Sequence, residues 1–383
     1  MGGMSGFERV RAALRHQEAD RVPFDLGGTA VTSINMKSLG RLRRHLGLGG
    51  EPRLRDIVTQ IGWVDEDLAG LLGVDVVSVP PDDPYNAGLS RHIGVEDGYD
   101  RIIDEFGLGW RMPVVGGNYY DLYHSPLAAA QTVADVARHP WPDAADAGRY
   151  RSIDERVDRA LATGRAFVCE RMSSGMWEHA MWLRGYEQFF ADMLLDKAMV
   201  HAIMEKVLEI KMEYWGRYLD IAGERALVLS CADDLGSTRG LLVSLGLYKE
   251  LVWPYHKRLY EFAKKRAKGE LYIFFHCDGA MYEALPLLIE AGVDIVNPWQ
   301  VNCEGMGDTA KFKREYGKDL TVWGGTCDAA ILEFGTPAQV VDETRRRVDD
   351  LAPGGGFIAA PIHVIQGGVP SENIMAWHET IMA

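Results

Sequence analysis

Short runs of apolar residues alternate along the chain with longer amphipathic segments. Eight runs end in polar or glycine residues, and segments of helical periodicity separate most of them. They span residues 22–26, 74–79, 166–169, 226–231, 271–276, 294–298, 320–324 and 357–360. Nearly continuous apolar runs are typical of strands buried on both faces, and their alternation with helices indicates a parallel sheet. The pattern predicts an α/β fold, a single (β/α)8 TIM barrel over residues 1–383.

The segments between these runs predict helices with recognisable ends. Apolar positions recur every three or four residues over 186–195 and 197–222. Thr336 and Pro337 are typical of a helix start, and Gly292 is typical of a helix end. Residues 80–153 follow no βα unit, so we predict a long insertion after the second strand, with a small hairpin near Gly107–Val115. Insertions of this kind often shape a lid or a binding mouth.

Composition and charge narrow the classes of function. The formal net charge of −14 over 383 residues disfavours nucleic acid as a partner, because an acidic surface repels phosphate. No stretch approaches 18 continuous apolar residues, so we expect no membrane span. The five cysteines are dispersed and odd in number, which indicates reduced thiols and a cytoplasmic protein.

Polar residues that suit catalysis follow most of the predicted strands, and active sites of (β/α)8 barrels lie at these strand ends. The sharpest group is His276, Cys277 and Asp278 after the fifth strand, with Cys327 after the seventh. Imidazole and thiolate together suit zinc, so these four residues are candidate metal ligands. Alternation along a strand places His276 and Asp278 on one side and Cys277 on the other. The alternative is a capping histidine beside a buried cysteine.

Other strand-end residues suit acid–base chemistry or substrate binding. The candidate acid–base or orienting groups are Asp234, Glu178 and His363. For one of the pair Asp233 and Asp234 we favour a structural role as a helix cap. The candidate substrate-binding residues are Trp177, Trp299, Gln300, Gln366 and Asp25. Trp177, Trp182 and Trp299 would form an apolar wall around a flat ligand, and core packing is the alternative for them.

Several segments, taken in order, resemble the uroporphyrinogen decarboxylase superfamily, which also holds cobalamin-dependent methyltransferases. The resemblance covers nearly the whole chain and implies the same barrel fold. Its most telling strings include Asp20-Arg21-Val22-Pro23-Phe24, Asp233-Asp234-Leu235-Gly236, Phe275-His276-Cys277-Asp278-Gly279, Asn297-Pro298-Trp299-Gln300 and Leu351-Ala352-Pro353-Gly354-Gly355-Gly356-Phe357.

The resemblance favours the methyltransferase branch over uroporphyrinogen decarboxylase itself. The decarboxylases carry an Arg-Gln-Ala-Gly-Arg-Tyr stretch that binds tetrapyrrole carboxylates, but the corresponding residues 25–31 contain no arginine. The methyltransferases bind zinc through His-x-Cys at strand five and a later cysteine. His276 matches the histidine, whereas Asp278 and Gly355 stand at or near the cysteine positions. The site then either uses other ligands, among them Cys277, Cys327 and Glu178, or holds no zinc.

Three hypotheses about function follow. The first is a methyltransferase that moves a methyl group between a small methyl ether, amine or thiol and a cobalamin carried by a partner corrinoid protein, with help from zinc. The second is a metal-free decarboxylase or lyase of a small acid that uses Asp25, Asp234 and His363. The third is a corrinoid or tetrapyrrole carrier that binds without turnover.

Overall fold

The computed structural model describes residues 3–383 and contains a curled parallel sheet with two smaller antiparallel sheets. The strands are β1 (Ile34–Asn35), β2 (Leu54–Asp56), β3 (Ile61–Gly62), β4 (Val76–Val79), β5 (Arg91–Glu96), β6 (Tyr99–Ile103), β7 (Gly109–Pro113), β8 (Asp121–His124), β9 (Ala166–Cys169), β10 (Val228–Ala232), β11 (Tyr272–His276), β12 (Ile295–Asn297), β13 (Thr321–Trp323) and β14 (Phe357–Ile358). The helices are α1 (Gly6–Leu14), α2 (Met36–His45), α3 (Glu66–Leu71), α4 (Val133–Arg138), α5 (Ile153–Ala162), α6 (Met176–Arg184), α7 (Tyr186–Leu195), α8 (Lys197–Ala222), α9 (Leu245–Leu251), α10 (Trp253–Arg266), α11 (Leu285–Ala291), α12 (Thr309–Tyr316), α13 (Ala329–Phe334), α14 (Pro337–Leu351) and α15 (Ser371–Met382).

Parallel strands form the wall of the barrel in chain order, from β4 through β9 to β14. The remaining place is taken by the extended segment around Phe24, which pairs in parallel with Ala359. The Asp25 amide donates to the Ala359 carbonyl and the Asp75 amide donates to the Phe24 carbonyl, each at 2.8 Å. The segment therefore joins the last strand to β4 and closes the ring. The predicted (β/α)8 barrel is confirmed, and each predicted apolar run overlaps one of its eight strands.

Side chains alternate across the barrel wall and so form two apolar cores. Phe274 on β11 packs inside the barrel, where α1 contributes Val10 and Leu14. Its neighbours Ile273 and Phe275 belong to the larger core between the sheet and the surrounding helices. Because successive strand residues point to opposite faces, His276 lies on the same side as Phe274. Its side chain is thereby directed towards the mouth of the barrel.

The helix ends lie where the sequence predicts them. Helices α7 and α8 have the predicted bounds. The Thr336 side chain accepts from the Gln339 amide, and the Gln339 side chain in turn bonds the Thr336 backbone, which completes a capping box. Gly292 ends α11 at φ 102°, a left-handed conformation that favours glycine.

The insertion between β4 and α5 contains a four-stranded antiparallel sheet in the order β5-β6-β7-β8. The predicted hairpin near Gly107–Val115 was wrong in its bounds, because it covers a turn and one strand of this sheet. The hairpin that covers this turn joins β6 to β7, and the Asp104 carboxylate accepts from the Phe106 and Leu108 amides at its turn (2.9 and 3.0 Å). Strand β5 is exposed along most of its length, so it carries no apolar alternation that would have predicted it.

A second small sheet, in the order β1-β3-β2, is formed by the part of the chain between the Phe24 segment and α3. The sequence pattern did not predict it, because its strands are only two or three residues long. Among the helices of residues 3–383, none combines the length and the hydropathy needed to cross a membrane.

Candidate active site

A cavity of about 500 Å³ opens at the C-terminal ends of the barrel strands. Asp234, His276 and His363 line it from the strand ends, and α6 contributes further side chains. Phe106 and Trp110 line it from the insertion. The volume lies within the usual range for small-molecule sites, which is about 300–1,000 Å³. The insertion therefore forms part of the binding mouth, as predicted.

Two imidazoles and one carboxylate meet in this cavity. Asp278 Oδ2 lies 3.3 Å from His363 Nε2 and 3.9 Å from His276 Nε2. Within the described part of the chain, these three residues form a group whose potential ligand atoms all lie within 4.8 Å of one another. We call them the strand-end cluster. Three such ligands with one side open to a cavity are the arrangement of a catalytic metal site, so the residues present fit a metal ion.

The position of the proton on His276 is set by Asn297. The Asn297 side-chain amide donates to the Trp323 carbonyl at 2.7 Å, which turns its oxygen towards His276 Nδ1 at 2.8 Å. Nδ1 therefore carries the proton, and Nε2 presents a lone pair to the cavity. Burial lowers the pKa of His276 to about 4, so the ring is neutral at pH 7. Both properties suit a metal ligand.

Two hydrogen bonds hold Asp278, one to its carboxylate and one from its backbone amide. Gln300 Nε2 donates to Asp278 Oδ1 at 2.6 Å, and the Asp278 amide donates to Asp234 Oδ1 at 2.7 Å. Gln300 Oε1 also accepts from the Gly279 amide at 2.7 Å. Gln300 does not line the cavity. It was predicted to bind substrate, and the structure instead gives it the task of orienting Asp278.

Asp233 caps helix α6 from the neighbouring strand end. Its carboxylate accepts from the amides of residues 176 to 178 at 2.8–3.0 Å and contacts His256 Nε2 at 2.6 Å. A Cβ at Gly175 would lie 2.0 Å from both the Ala232 carbonyl and Asp233 Oδ1, so this approach requires glycine. The expectation that one of the two adjacent aspartates is a helix cap is confirmed, and Asp234 is left to line the cavity.

Two acidic side chains of the cavity favour their protonated forms. Burial, followed by the nearby charges of Asp234 and Asp233, raises the pKa of Glu178 well above its ordinary value. Burial also raises the pKa of Asp234, although the bond from the Asp278 amide opposes the shift. The Ser174 hydroxyl donates to the Glu178 carboxyl. The raised pKa favours the protonated form of Glu178 more than in water, which suits a proton donor inside the cavity.

Four ring systems pack against one another beside the cavity, and we call them the aromatic wall; three are buried, and Trp182 is the most exposed of the four. Its members are Phe106 and Trp110 from the insertion and His179 and Trp182 from α6. The ring centroids are 5.2 Å apart for Trp110 and Trp182, 5.3 Å for Trp182 and His179, and 4.4 Å for His179 and Phe106. Burial and the charge of Lys211 lower the pKa of His179 well below its ordinary value, so this ring is neutral.

The cavity is strongly acidic. Among the described residues that line it, one side chain is a permanent cation, Arg171, whereas seven are carboxylic. The seven are Asp56, Asp104, Glu105, Glu170, Glu178, Asp234 and Asp278. A substrate with many carboxylates would lack countercharges here, which agrees with the absence of arginine from residues 25–31.

Two predicted metal ligands lie outside the strand-end cluster, which corrects the predicted ligand set. Cys277 is fully buried on the outer side of the wall, where its Sγ accepts from the Leu235 amide at 3.3 Å. Burial raises the pKa of this thiol well above its ordinary value. Cys327 is buried near Thr344 of α14, and burial raises the pKa of its thiol to about 12. Neither residue lines the cavity, and His363 supplies the third ligand atom instead.

Two predicted substrate contacts are core residues. Trp177 is completely buried, its Nε1 donates to the Asp234 carbonyl at 3.1 Å, and its ring packs against Phe189. Trp299 is completely buried against Phe312, with a centroid distance of 4.2 Å. Neither tryptophan lines the cavity. Core packing, the alternative considered for both, is what the structure shows.

The two remaining predicted contacts also lie outside the cavity lining. Gln366 is exposed, and its side-chain amide donates to the Val364 carbonyl at 3.0 Å. Asp25 is fully buried and accepts from the Gly28 amide (2.7 Å) and from Trp323 Nε1 (2.8 Å). Burial raises the pKa of Asp25 to about 6. Its contacts are those of a structural residue that ties the closing segment to β13.

The sequence analysis did not single out several residues that shape the site. Asn297 carried a signal, because a polar residue at the end of a buried apolar run needs a partner. Arg55, whose guanidinium pairs with Glu170 at 2.7 Å, comes from the small sheet and carried none. Phe106 and Trp110 lie in the insertion, and no sequence pattern there shows which residues face the cavity.

Comparison with known proteins gives a family and a fold. The model of the family described as uroporphyrinogen decarboxylase (URO-D) matches residues 124–383. A search of curated proteins returned no match. Among solved structures, a methyltransferase from Methanosarcina mazei aligns over 99% of this chain and 98% of its own, with 15% identity and a TM-score of 0.64. That likeness shows a shared fold.

Other solved structures are less similar. Xylanase 10B from Thermotoga maritima and an endo-1,4-beta-xylanase from Penicillium canescens each align over 61% of this chain and 79% of their own, at 11% identity. Their TM-scores of 0.39 and 0.36 are too low to inform either the fold or the site. The family model spans well over half of the chain. The chain therefore belongs to the uroporphyrinogen decarboxylase family.

Proposed function

We propose that this protein is a methyltransferase that moves a methyl group between a small substrate and a cobalamin carried by a partner corrinoid protein. The observation that carries the proposal is the strand-end cluster of His276, Asp278 and His363, which borders a cavity of small-molecule size. A superposable methyltransferase from Methanosarcina mazei is consistent with it.

The cluster supplies what a zinc site in such an enzyme needs. His276 presents a neutral Nε2, and Gln300 holds Asp278 beside it. When bound, zinc supplies a Lewis acid for the substrate heteroatom, and the corrinoid supplies the cobalt that exchanges the methyl group. The protein contributes position, because Asn297 and Gln300 at the end of β12 hold His276 and Asp278.

The carboxylic groups beside the cluster would donate and accept protons during the reaction. Burial and the neighbouring carboxylates raise the pKa of Glu178, which lies in the same cavity as the cluster. It would give a proton to a heteroatom that leaves without its methyl group, and take one back in the reverse direction. Asp234 accepts from the Asp278 amide and so positions the ligand while lining the same space. The aromatic wall would exclude water from the reacting atoms.

The proposal is tested by measuring methyl transfer and metal content together. Purified protein loaded with zinc is mixed with reduced cobalamin and candidate methyl donors, and methylcobalamin is followed by its absorbance. We expect transfer in the wild type, and a fall on the order of a hundred- to a thousandfold in His276→Ala and His363→Ala. The matched control is His92→Ala, whose exposed histidine lies on β5 and outside the cavity lining.

Stoichiometric zinc that disappears in His276→Ala would support the metal role. Wild-type protein that neither binds zinc nor transfers methyl from any donor would contradict the proposal. Cobalamin binding without transfer would instead indicate the carrier function.

A decarboxylase of a small acid is the second candidate. Arg171 in the cavity lining favours it, because one guanidinium suits a substrate with a single carboxylate. Release of carbon dioxide from small carboxylic acids by metal-free protein, lost in Arg171→Met, would favour this function over methyl transfer.

A further inference from the structure

Only part of the carboxylate charge of the cavity is balanced by the protein's own cations, of which Arg171 is the one in the cavity lining. Arg55 pairs with Glu170, and Arg149 pairs with Glu105. The Glu178 carboxyl accepts hydrogen bonds from Ser174 and the Gly175 amide, which are neutral. Asp104 likewise bonds to backbone amides and an indole, and Asp56 bonds to Thr59. Negative charge in a confined space of low dielectric constant attracts a cation strongly.

One carboxylate oxygen of the cavity lining has no hydrogen-bond partner. Glu170 is 3% exposed, and its Oε2 accepts from the Ala30 amide (2.9 Å), from Arg55 (2.7 Å) and from Ser78 (3.3 Å). Its Oε1 is buried and receives none, with Arg171 Nη1 no nearer than 3.8 Å. Buried polar atoms are nearly always paired in a functioning site. This oxygen is therefore an unsatisfied acceptor in the wall of the cavity.

The aromatic wall is also suited to a cation. Aromatic faces carry negative potential and attract ammonium groups that approach within about 6 Å. The indole of Trp110 donates to Asp104 at 2.9 Å, which adds negative charge at the ring edge. His179 takes part as a neutral ring and so does not repel a cation. Rings and carboxylates in one cavity form the combination that recognises methylated ammonium groups.

We infer that the substrate is a small organic cation whose ammonium head lies against the aromatic wall while its oxygen or other heteroatom reaches the strand-end cluster. This inference rests on the proposed methyl transfer for the identity of the cavity as the reaction site. It excludes anionic substrates, and it gives the insertion a role in selecting the charge of the substrate.

The inference is tested by binding to zinc-loaded full-length protein, measured by calorimetry. The probes are choline, its uncharged carbon isostere 3,3-dimethyl-1-butanol, and the anion 3,3-dimethylbutyrate. We expect choline to bind about tenfold tighter than the isostere, the anion to bind weakest, and added salt to weaken choline alone.

Variants test separately how much the aromatic wall and the carboxylates contribute to choline binding. Trp182→Leu should weaken choline about tenfold, whereas Trp182→Phe keeps an aromatic face and should retain most of the affinity. Asp56→Asn removes a carboxylate of the cavity lining without changing its size, and it should weaken choline but not the isostere. Asp97→Asn, at an exposed turn of the insertion, is the matched control and should change nothing.

Equal binding of choline and its isostere, or tighter binding of the anion, would overturn the inference. A choline affinity unchanged in Trp182→Leu would also overturn it. The methyl-transfer assay distinguishes this failure from failure of the proposed function. Transfer from a neutral methyl ether without choline binding would refute the cation site alone, and tight choline binding without transfer from any donor would refute the methyltransferase alone.

Discussion

The two halves of the cavity are held in place differently. At the strand ends, each polar side chain is fixed by a neighbouring strand or helix: Asp233 by the amides of α6, and Asn297 by the Trp323 carbonyl. In the insertion, Asp104 bonds to the Phe106 and Leu108 amides within its own hairpin turn. The strand-end groups are therefore held by bonds between barrel elements, whereas Asp104 in the insertion is held by bonds within its own turn. Changes in the first should disturb stability and metal binding, and changes in the second should mainly disturb the ligand.

The largest effect is expected for Asp233→Ala. The change leaves three amides and His256 without their buried partner, so the free energy of unfolding should fall by about 3–5 kcal/mol. Denaturant unfolding followed by circular dichroism measures it. The control is Thr336→Ala, an exposed helix cap whose loss should cost about 1 kcal/mol. Equal losses in the two variants would mean that the strand-end half is no more coupled to the fold than a surface helix.

A pH dependence should follow from Asp25. Its folded pKa of about 6 lies above the ordinary value of 3.8, so the unfolded chain releases this proton first. Stability is therefore lost as pH rises from about 4 to about 6, by up to about 3 kcal/mol, and the penalty is complete above that range.

Asp25→Asn should remove this contribution to the change in unfolding free energy between pH 4 and pH 7. Denaturant titrations at both pH values measure it, and Asp97→Asn, at an exposed turn in the insertion, should leave the pH dependence unchanged. The same pH dependence in wild type and Asp25→Asn would show that Asp25 titrates normally.

A smaller effect is expected at the cluster itself. Asn297→Leu removes the group that fixes the His276 proton, so zinc affinity should fall about 10- to 100-fold. Competition with a chelator of known affinity measures this change. Trp110→Phe, on the aromatic wall, is the comparison and should bind zinc like the wild type. An unchanged zinc affinity in Asn297→Leu would show that the geometry at the strand ends does not determine metal binding.

The smallest effect is expected for Trp110→Phe on stability. The variant loses the bond to Asp104 and part of the edge-to-face contact with Trp182, so unfolding should become easier by about 1 kcal/mol. Denaturant unfolding gives the value. A loss as large as that of Asp233→Ala would show that the insertion is integral to the barrel and would break the distinction between the two halves.

The sequence predicted the barrel because its strands are buried on both faces. Such strands are runs of apolar residues, which can be recognised without knowing which strands they pair with. Strand β5 is exposed, and the strands of the first small sheet are very short, so neither left such a pattern. Alternation along β11 correctly separated Cys277 from His276 and Asp278. Cys327 was selected for its residue type alone, and its burial near α14 depends on packing that no local pattern encodes.

The residues that make up the strand-end cluster could be predicted only in part from the sequence. His276 and Asp278 are close in the chain, so strand geometry places them together. His363 was expected to act on protons, and the closure of the barrel brings it to Asp278 from the other end of the sheet. The aromatic wall depends on how the insertion folds back over α6, which is a tertiary contact between distant segments.

The pairing of Phe24 with Ala359 also bears on the order in which the molecule is made. Synthesis proceeds from the N-terminus, so the first barrel segment has no partner on that side until Ala359 has been translated. Contacts between such distant residues form slowly, because a long loop must be closed first. The ring on which the strand-end cluster is arranged is therefore completed late. Until then, the unpaired edges of the Phe24 segment and of the strand most recently translated are the surfaces that a nascent chain must keep from aggregating.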